Sequence, residues 1–196
     1  HQGQGLSEGE RLFVEKFDDF VDDQADFLGH IRKTQSGKLE ALPTFLYGHS
    51  FGGLVAALLA ERHPQLFNAV VLASPALHLE EELLPPNLRR RSKLFSEYLP
   101  KFPVGDDVPM SYNSQLELFN VMDAMSHANP YGMRARLSDE MLSAMDRCMK
   151  DAPTKATFPL LIIHGTADKN TPMCGSQLFF DSAHSEDKQF HKYEDL

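Results

Sequence analysis

One serine in this chain stands in a setting that can make it a nucleophile. Ser50 lies in Gly48-His49-Ser50-Phe51-Gly52, the Gly-x-Ser-x-Gly pattern in which a serine occupies a strained turn between a strand and a helix. A hydroxyl is a poor nucleophile at its free pKa. It needs an imidazole as general base and a carboxylate to orient that imidazole. Glycines two residues before and two after the serine are expected to press against each other and against the neighbouring strand, where a Cβ would clash. Gly53 would ease close packing as well. Without chemistry, the same stretch would be a glycine-rich structural turn.

The order of such a site along this kind of chain is serine, acid, histidine. Asp168 fits the second place, because it follows the apolar run Leu160-Leu161-Ile162-Ile163-His164 in the turn Gly165-Thr166-Ala167-Asp168. Loops at the carboxyl ends of parallel strands are where such sheets carry their chemistry. A purely structural Asp168 would close the loop as an Asx turn, and the two roles are compatible. The backbone N–H of Phe51 is the expected oxyanion donor, at the positive end of the following helix. A second donor normally comes from a loop after an earlier strand, which is expected to lie outside this chain. The base is the missing part. Of nine histidines, His49 lies in the turn itself, His63 and His78 after the next helix and strand, His127 in an insertion and His164 on a strand. His184 and His191 follow Asp168, but they read as a helix end and a strand.

Strands and helices must alternate for these residues to meet. Pro43-Thr44-Phe45-Leu46-Tyr47 is a run of strand formers expected to be buried, and helix formers from Leu54 to Arg62 stop before Pro64. Ala69–Ala73 and Leu160–His164 are continuous apolar runs suited to a parallel sheet covered on both faces, whereas Lys188–Tyr193 alternates like an edge strand. From about Glu15 to Lys33, Phe17, Phe20, Val21, Leu28 and Ile31 follow a helical period. The opposite face carries Asp18, Asp19, Asp22, Asp23 and Asp26, which lack the spacing of a calcium loop and read as a solvated surface. The expected architecture is α/β, a mostly parallel sheet flanked by helices. Residues 1–74 form the core with the serine turn, 75–156 a Pro-punctuated helical cap, and 157–196 the core with the acid loop.

The whole composition suits one globular domain, at 42% apolar and 24% charged over 196 residues. A net charge of −9 argues against a nucleic-acid partner, which would need a surplus of Lys and Arg. Cys148 and Cys174 are too few for a disulfide framework and fit a reducing, cytoplasmic setting. No run is long and apolar enough for a membrane span. The opening His1-Gln2-Gly3-Gln4-Gly5 already reads as loop and Tyr193-Glu194-Asp195-Leu196 as a strand exit, so the sequence reads as a fragment whose targeting signals lie elsewhere.

These motifs resemble the monoacylglycerol lipase and lysophospholipase branch of the α/β-hydrolases, over nearly the whole chain. Three segments carry the resemblance: Gly3 to Arg11 for the family's Gly-His-Gly-x-Ser-x-Gly loop, Gly48 to Gly53, and His164 to Asp168. Gln4 replaces the usual His and Phe51 the common Met. The resemblance implies a serine esterase that forms an acyl-Ser50 intermediate on a lipid ester and needs no metal or cofactor. It places the catalytic His just beyond Leu196, so the fragment alone is expected to be inactive. It makes 75–156 a cap for the acyl chain, with Leu77, Leu83, Leu84, Leu94, Phe95, Leu99, Phe102, Met122, Met125 and Met141 as lining residues, although a helical core would use most of them too. Arg89-Arg90-Arg91 with Lys93 could meet a lipid phosphate or make peripheral contact with an anionic bilayer; a solvated helix face is the simpler reading. Two alternatives stay open: a small-ester or peptide hydrolase with the same core, and a non-catalytic lipid-binding relative that lacks the base.

Overall fold

A computed structural model describes residues 1–4, 7–35, 42–79, 84–104 and 133–195. Gly5, Leu6, Leu83, Met122, Met125, His127 and Leu196 lie outside the described residues. Among those described, the elements in chain order are α1 (Asp18–Thr34), β1 (Phe45–His49), α2 (Phe51–Arg62), β2 (Ala69–Ala73), α3 (Pro86–Tyr98), α4 (Ala135–Lys155), β3 (Leu160–Gly165), α5 (Met173–Ser182) and β4 (Lys188–Tyr193). Helix α2 begins three residues earlier than its helix formers predict. The chain divides into two compact units, His1–Asp19 with Pro85–Met141, and Phe20–Leu84 with Leu142–Leu196.

The second unit holds the sheet. Its four strands pair in the order β1-β2-β3-β4, all parallel. Parallel neighbours need crossovers, and α2 and α5 supply two of them. Helix α2 is apolar on every side (Leu54, Val55, Ala57, Leu58, Leu59), and a helix of that kind must be enclosed; all its residues from Gly53 to Glu61 are buried. In β3 the two-residue period puts Leu160, Ile162 and His164 on one buried face, with Leu161 and Ile163 partly covered. Among the described strands β4 pairs with β3 alone, the edge position that its alternation predicts.

Strand β1 departs from expectation. Its composition predicts burial, yet Phe45 and Tyr47 are 65% and 64% exposed. Side-chain burial depends on what lies over a strand's faces: among the described residues β1 pairs only with β2, and the side-chain row Phe45-Tyr47-His49 is exposed.

In the first unit, Arg134 ties the N-terminal segment to the chain before α4. Its guanidinium donates to the carbonyls of Arg11 and Lys101, and its backbone N–H donates to that of Leu12. Phe17 N–H donates to the Glu140 carboxylate at 2.9 Å, and Phe17 is fully buried. On α3 the basic cluster Arg89, Arg90, Arg91 and Lys93 is exposed. So are Leu94, Phe95, Leu99 and Phe102, so the core reading given to the cap residues does not hold for these four. Among the candidate lining residues it holds for Leu77, at 1% exposure in the second unit.

Candidate active site

The strand-turn-helix around Ser50 is held by backbone geometry. Ser50 adopts φ 52 and ψ −120, a left-handed conformation that a non-glycine residue takes only when its surroundings impose it. Three contacts do so: Ser50 N–H donates to Ala73 O at 3.0 Å, while Ser50 O accepts from Gly53 at 2.9 Å and from Ala76 at 3.0 Å. The serine is thus pinned to the end of β2 and to the chain beyond it. Its side chain makes no cap hydrogen bond to α2, which leaves the hydroxyl uncommitted to that helix.

The glycines divide the steric work unevenly. A Cβ on Gly48 would lie 2.3 Å from Gly52 O and 2.7 Å from the Ala56 side chain. One on Gly53 would lie 2.6 Å from Pro75. A Cβ on Gly52 would meet nothing within 4 Å, which corrects the expectation that both flanking glycines need to lack one. The close approach is of one strand backbone onto Gly52's carbonyl, so only the strand partner is constrained.

His49, the last residue of β1, is exposed. Phe51 opens α2 with its N–H at the positive end of the helix, and its ring packs edge-on against Phe20 of α1, with centroids 5.4 Å apart.

Asp168 lies three residues past β3. Its Oδ1 accepts from Asn170 N–H at 2.9 Å and Thr171 N–H at 3.0 Å, and its Oδ2 from the Thr171 hydroxyl at 2.8 Å. This is the Asx-type closure expected of the loop. A carboxylate offers about four acceptor sites, so three donors leave one open on Oδ2, and the side chain is 21% exposed. Burial by itself would raise the Asp168 pKa, but the hydrogen bonds from Thr171 and Asn170, with the nearby His164, hold it below its ordinary value of 3.8. The group is a carboxylate at neutral pH.

Register relates the two residues. His49 pairs with Ala73 and Ala73 with Ile163, so Ser50 and the Asp168 loop both emerge at the carboxyl edge of the sheet. One strand lies between them, a separation of about 10 Å at the usual strand spacing, which is room for an imidazole and its two hydrogen bonds.

Among the histidines near this edge, His164 is the one beside Asp168, with Nε2 3.6 Å from Oδ2. It is not available as a base. It is buried, Nε2 is 2.7 Å from Thr171 O and Nδ1 2.8 Å from Ser176 Oγ, so both nitrogens are engaged. His184 follows α5 and is exposed, and His191 is exposed on β4, 3.3 Å from Gln189 Oε1. Sequence reasoning assigns His164, Thr171 and Ser176 no part at this edge. The signal available is a histidine at a position where the strand's buried face should be apolar.

Comparison with known proteins identifies the family and the fold. The family model described as serine aminopeptidase, S33, matches residues 1–196. Monoglyceride lipase of Rattus norvegicus is 33% identical over 99% of this chain, which spans 62% of the length of that relative. The crystal structure of Paleococcus ferrophilus monoacylglycerol lipase superposes with a TM-score of 0.78 at 25% identity, covering 100% of this chain and 71% of that one. A soluble variant of Saccharomyces cerevisiae monoglyceride lipase, solved in complex with a substrate analogue, shares the fold with a TM-score of 0.76 at 19% identity over 100% of this chain and 66% of its own. A parallel sheet, a strained serine between strand and helix, and a family match along the entire sequence converge: the chain belongs to the serine aminopeptidase S33 family of α/β-hydrolases.

Proposed function

We propose that the protein is a serine hydrolase of lipid carboxylic esters, with a monoacylglycerol or lysophospholipid as substrate. The observation that carries this reading is the left-handed backbone of Ser50 between β1 and α2, strain with no structural purpose unless the hydroxyl is to be presented. In this reading Ser50 Oγ attacks the ester carbonyl, and its proton passes to an imidazole that returns it to the departing alcohol. Water then cleaves the acyl-serine by the same route in reverse. The oxyanion is met by the Phe51 N–H. Asp168 supplies the negative charge that orients and stabilises the imidazolium. The general base is a histidine that chain order puts after Asp168 and that the family resemblance puts C-terminal to β4.

The substrate class rests on the monoglyceride lipase relatives and on the apolar residues exposed along α3, which suit that helix to acyl binding. The basic cluster beside them on the same helix suits peripheral contact with an anionic membrane. The test is Ser50→Ala in the full-length protein. Ester hydrolysis should fall by orders of magnitude with the fold intact by circular dichroism, and labelling by a fluorophosphonate probe should vanish. Most of the activity surviving in the folded variant would overturn the assignment.

A further inference from the structure

His164 occupies a position where β3 should carry an aliphatic side chain. It shares a buried face with Leu160 and Ile162 and is 1% exposed. A leucine there would extend the apolar row at no polar cost, whereas a buried imidazole must have both nitrogens satisfied. The hydrogen positions follow from the partners. Thr171 O can only accept, so Nε2 carries the hydrogen and donates to it; in the neutral ring Nδ1 then accepts from the Ser176 hydroxyl. Ser176 is fully buried on α5, so the ring is anchored from the helix side.

Thr171 links the two halves of the arrangement. Its carbonyl is gripped by His164, and its own N–H and hydroxyl grip Oδ1 and Oδ2 of Asp168. Two of the three hydrogen bonds that orient the carboxylate therefore come from a residue whose position the imidazole fixes. We propose that His164 is a positioning residue for Asp168, its Nε2–H holding the Thr171 carbonyl so that Thr171 keeps the carboxylate in one orientation. This rests on the reading of Asp168 as the acid of the site.

Two amides separate this role from packing. Glutamine places an N–H near the imidazole Nε2, whereas asparagine reaches only as far as Nδ1, and both are polar and of similar size. In the full-length protein His164→Gln should keep kcat within a few-fold. His164→Asn should lower kcat by about tenfold to a hundredfold with KM little changed, the scale of a misplaced catalytic group. In an Asp168→Asn background the same His164→Asn change should cost nothing further, because it acts through the missing carboxylate. Equal losses in both amides, no loss in either, or additive losses with Asp168→Asn would overturn the proposal.

If His164→Asn fails to fold by thermal melting, Ser176→Ala takes its place. Freeing Nδ1 should lower kcat several-fold, again without effect in the Asp168→Asn background, and an unchanged kcat would overturn the proposal. A ¹³C NMR titration of the Asp168 carboxyl gives a readout that does not depend on turnover. Its pKa should rise in His164→Asn and stay low in His164→Gln, and no difference between them would again overturn the proposal. If Ser50→Ala or Asp168→Asn leaves hydrolysis intact, the reading of that residue as nucleophile or acid fails by itself, while the titration still decides the positioning role.

Discussion

At the scale of single residues, the least expected group is Glu61 in the last turn of α2. It is 5% exposed, its Oε1 accepts from the Cys148 thiol at 3.7 Å, and its Oε2 has no hydrogen-bond partner among the described residues. Burial first, and then the Asp151 carboxylate, push its pKa from 4.5 up to about 8, against smaller opposing effects of the Cys148 hydrogen bond and Lys155. The folded protein therefore retains a proton between pH 4.5 and about 8 that the unfolded chain has released. Stability should fall as pH rises through that window, by a few kcal/mol, since each tenfold difference in proton affinity between the two states is worth about 1.4 kcal/mol. Glu61→Gln should flatten the profile and be the more stable protein above the window, as read from urea unfolding at a series of pH values. A glutamine variant less stable at every pH would show that the carboxyl makes a contact the amide cannot. Asp168 has the opposite sign: its lowered pKa stabilises the fold above the unfolded value, and that contribution is lost as pH falls through the folded one. Thr171→Val removes one of its donors, so the carboxyl should titrate higher by ¹³C NMR.

At the scale of elements, the junction of β1 with α2 makes an ordering of three alanine variants testable. Gly48→Ala and Gly53→Ala place a methyl group against the backbone of Gly52 and of Pro75, which cannot yield as a side chain could. Each should destabilise by about 1–3 kcal/mol or more. Gly52→Ala meets open space on a helix, where alanine is favoured over glycine by about 0.5–1 kcal/mol, so it should be neutral or stabilising. Thermal or urea unfolding of the three variants checks the order. A Gly52→Ala protein as unstable as Gly48→Ala would mean that the two residues approach more closely than the structure shows.

At the scale of the molecule, the exposed row of β1 and the apolar surface of α3 have separate consequences. Phe45 and Tyr47 stand exposed on a strand that among the described residues pairs with β2 alone, the arrangement that invites pairing with another chain. The 196-residue chain should self-associate, and Phe45→Lys with Tyr47→Lys should raise the concentration at which it stays monomeric in sedimentation velocity. An unchanged association would place the contact elsewhere. If α3 serves acyl binding, kcat/KM of the full-length protein on p-nitrophenyl esters should climb from acetate to medium or long chains, each buried CH₂ contributing up to about 0.8 kcal/mol. A steady decline would favour the small-ester or peptide alternative.

Features that depend on neighbours along the chain are readable in the residue order. Strand formers before Gly48, glycines around Ser50, helix formers up to Arg62 and a stop at Pro64 place the strained turn, since each acts over a few residues. The turn after His164 and its Asx residue Asp168 are legible for the same reason. The tertiary structure decided what depends on elements distant in sequence. Among the described residues β1 leaves Phe45 and Tyr47 exposed, because burial depends on the layers over a strand's faces, which its own apolar composition does not encode. Gly48 and Gly53 bear the steric constraint and Gly52 does not, because the close atoms belong to facing segments. His164 reads along the chain as one more strand residue. Its bonds to Thr171 and Ser176 arise only when the acid loop and α5 fold back over β3, and packing likewise buries Glu61 beside Cys148 and raises its pKa. Pairing between distant side chains follows from how the layers stack, and local propensity carries no record of it.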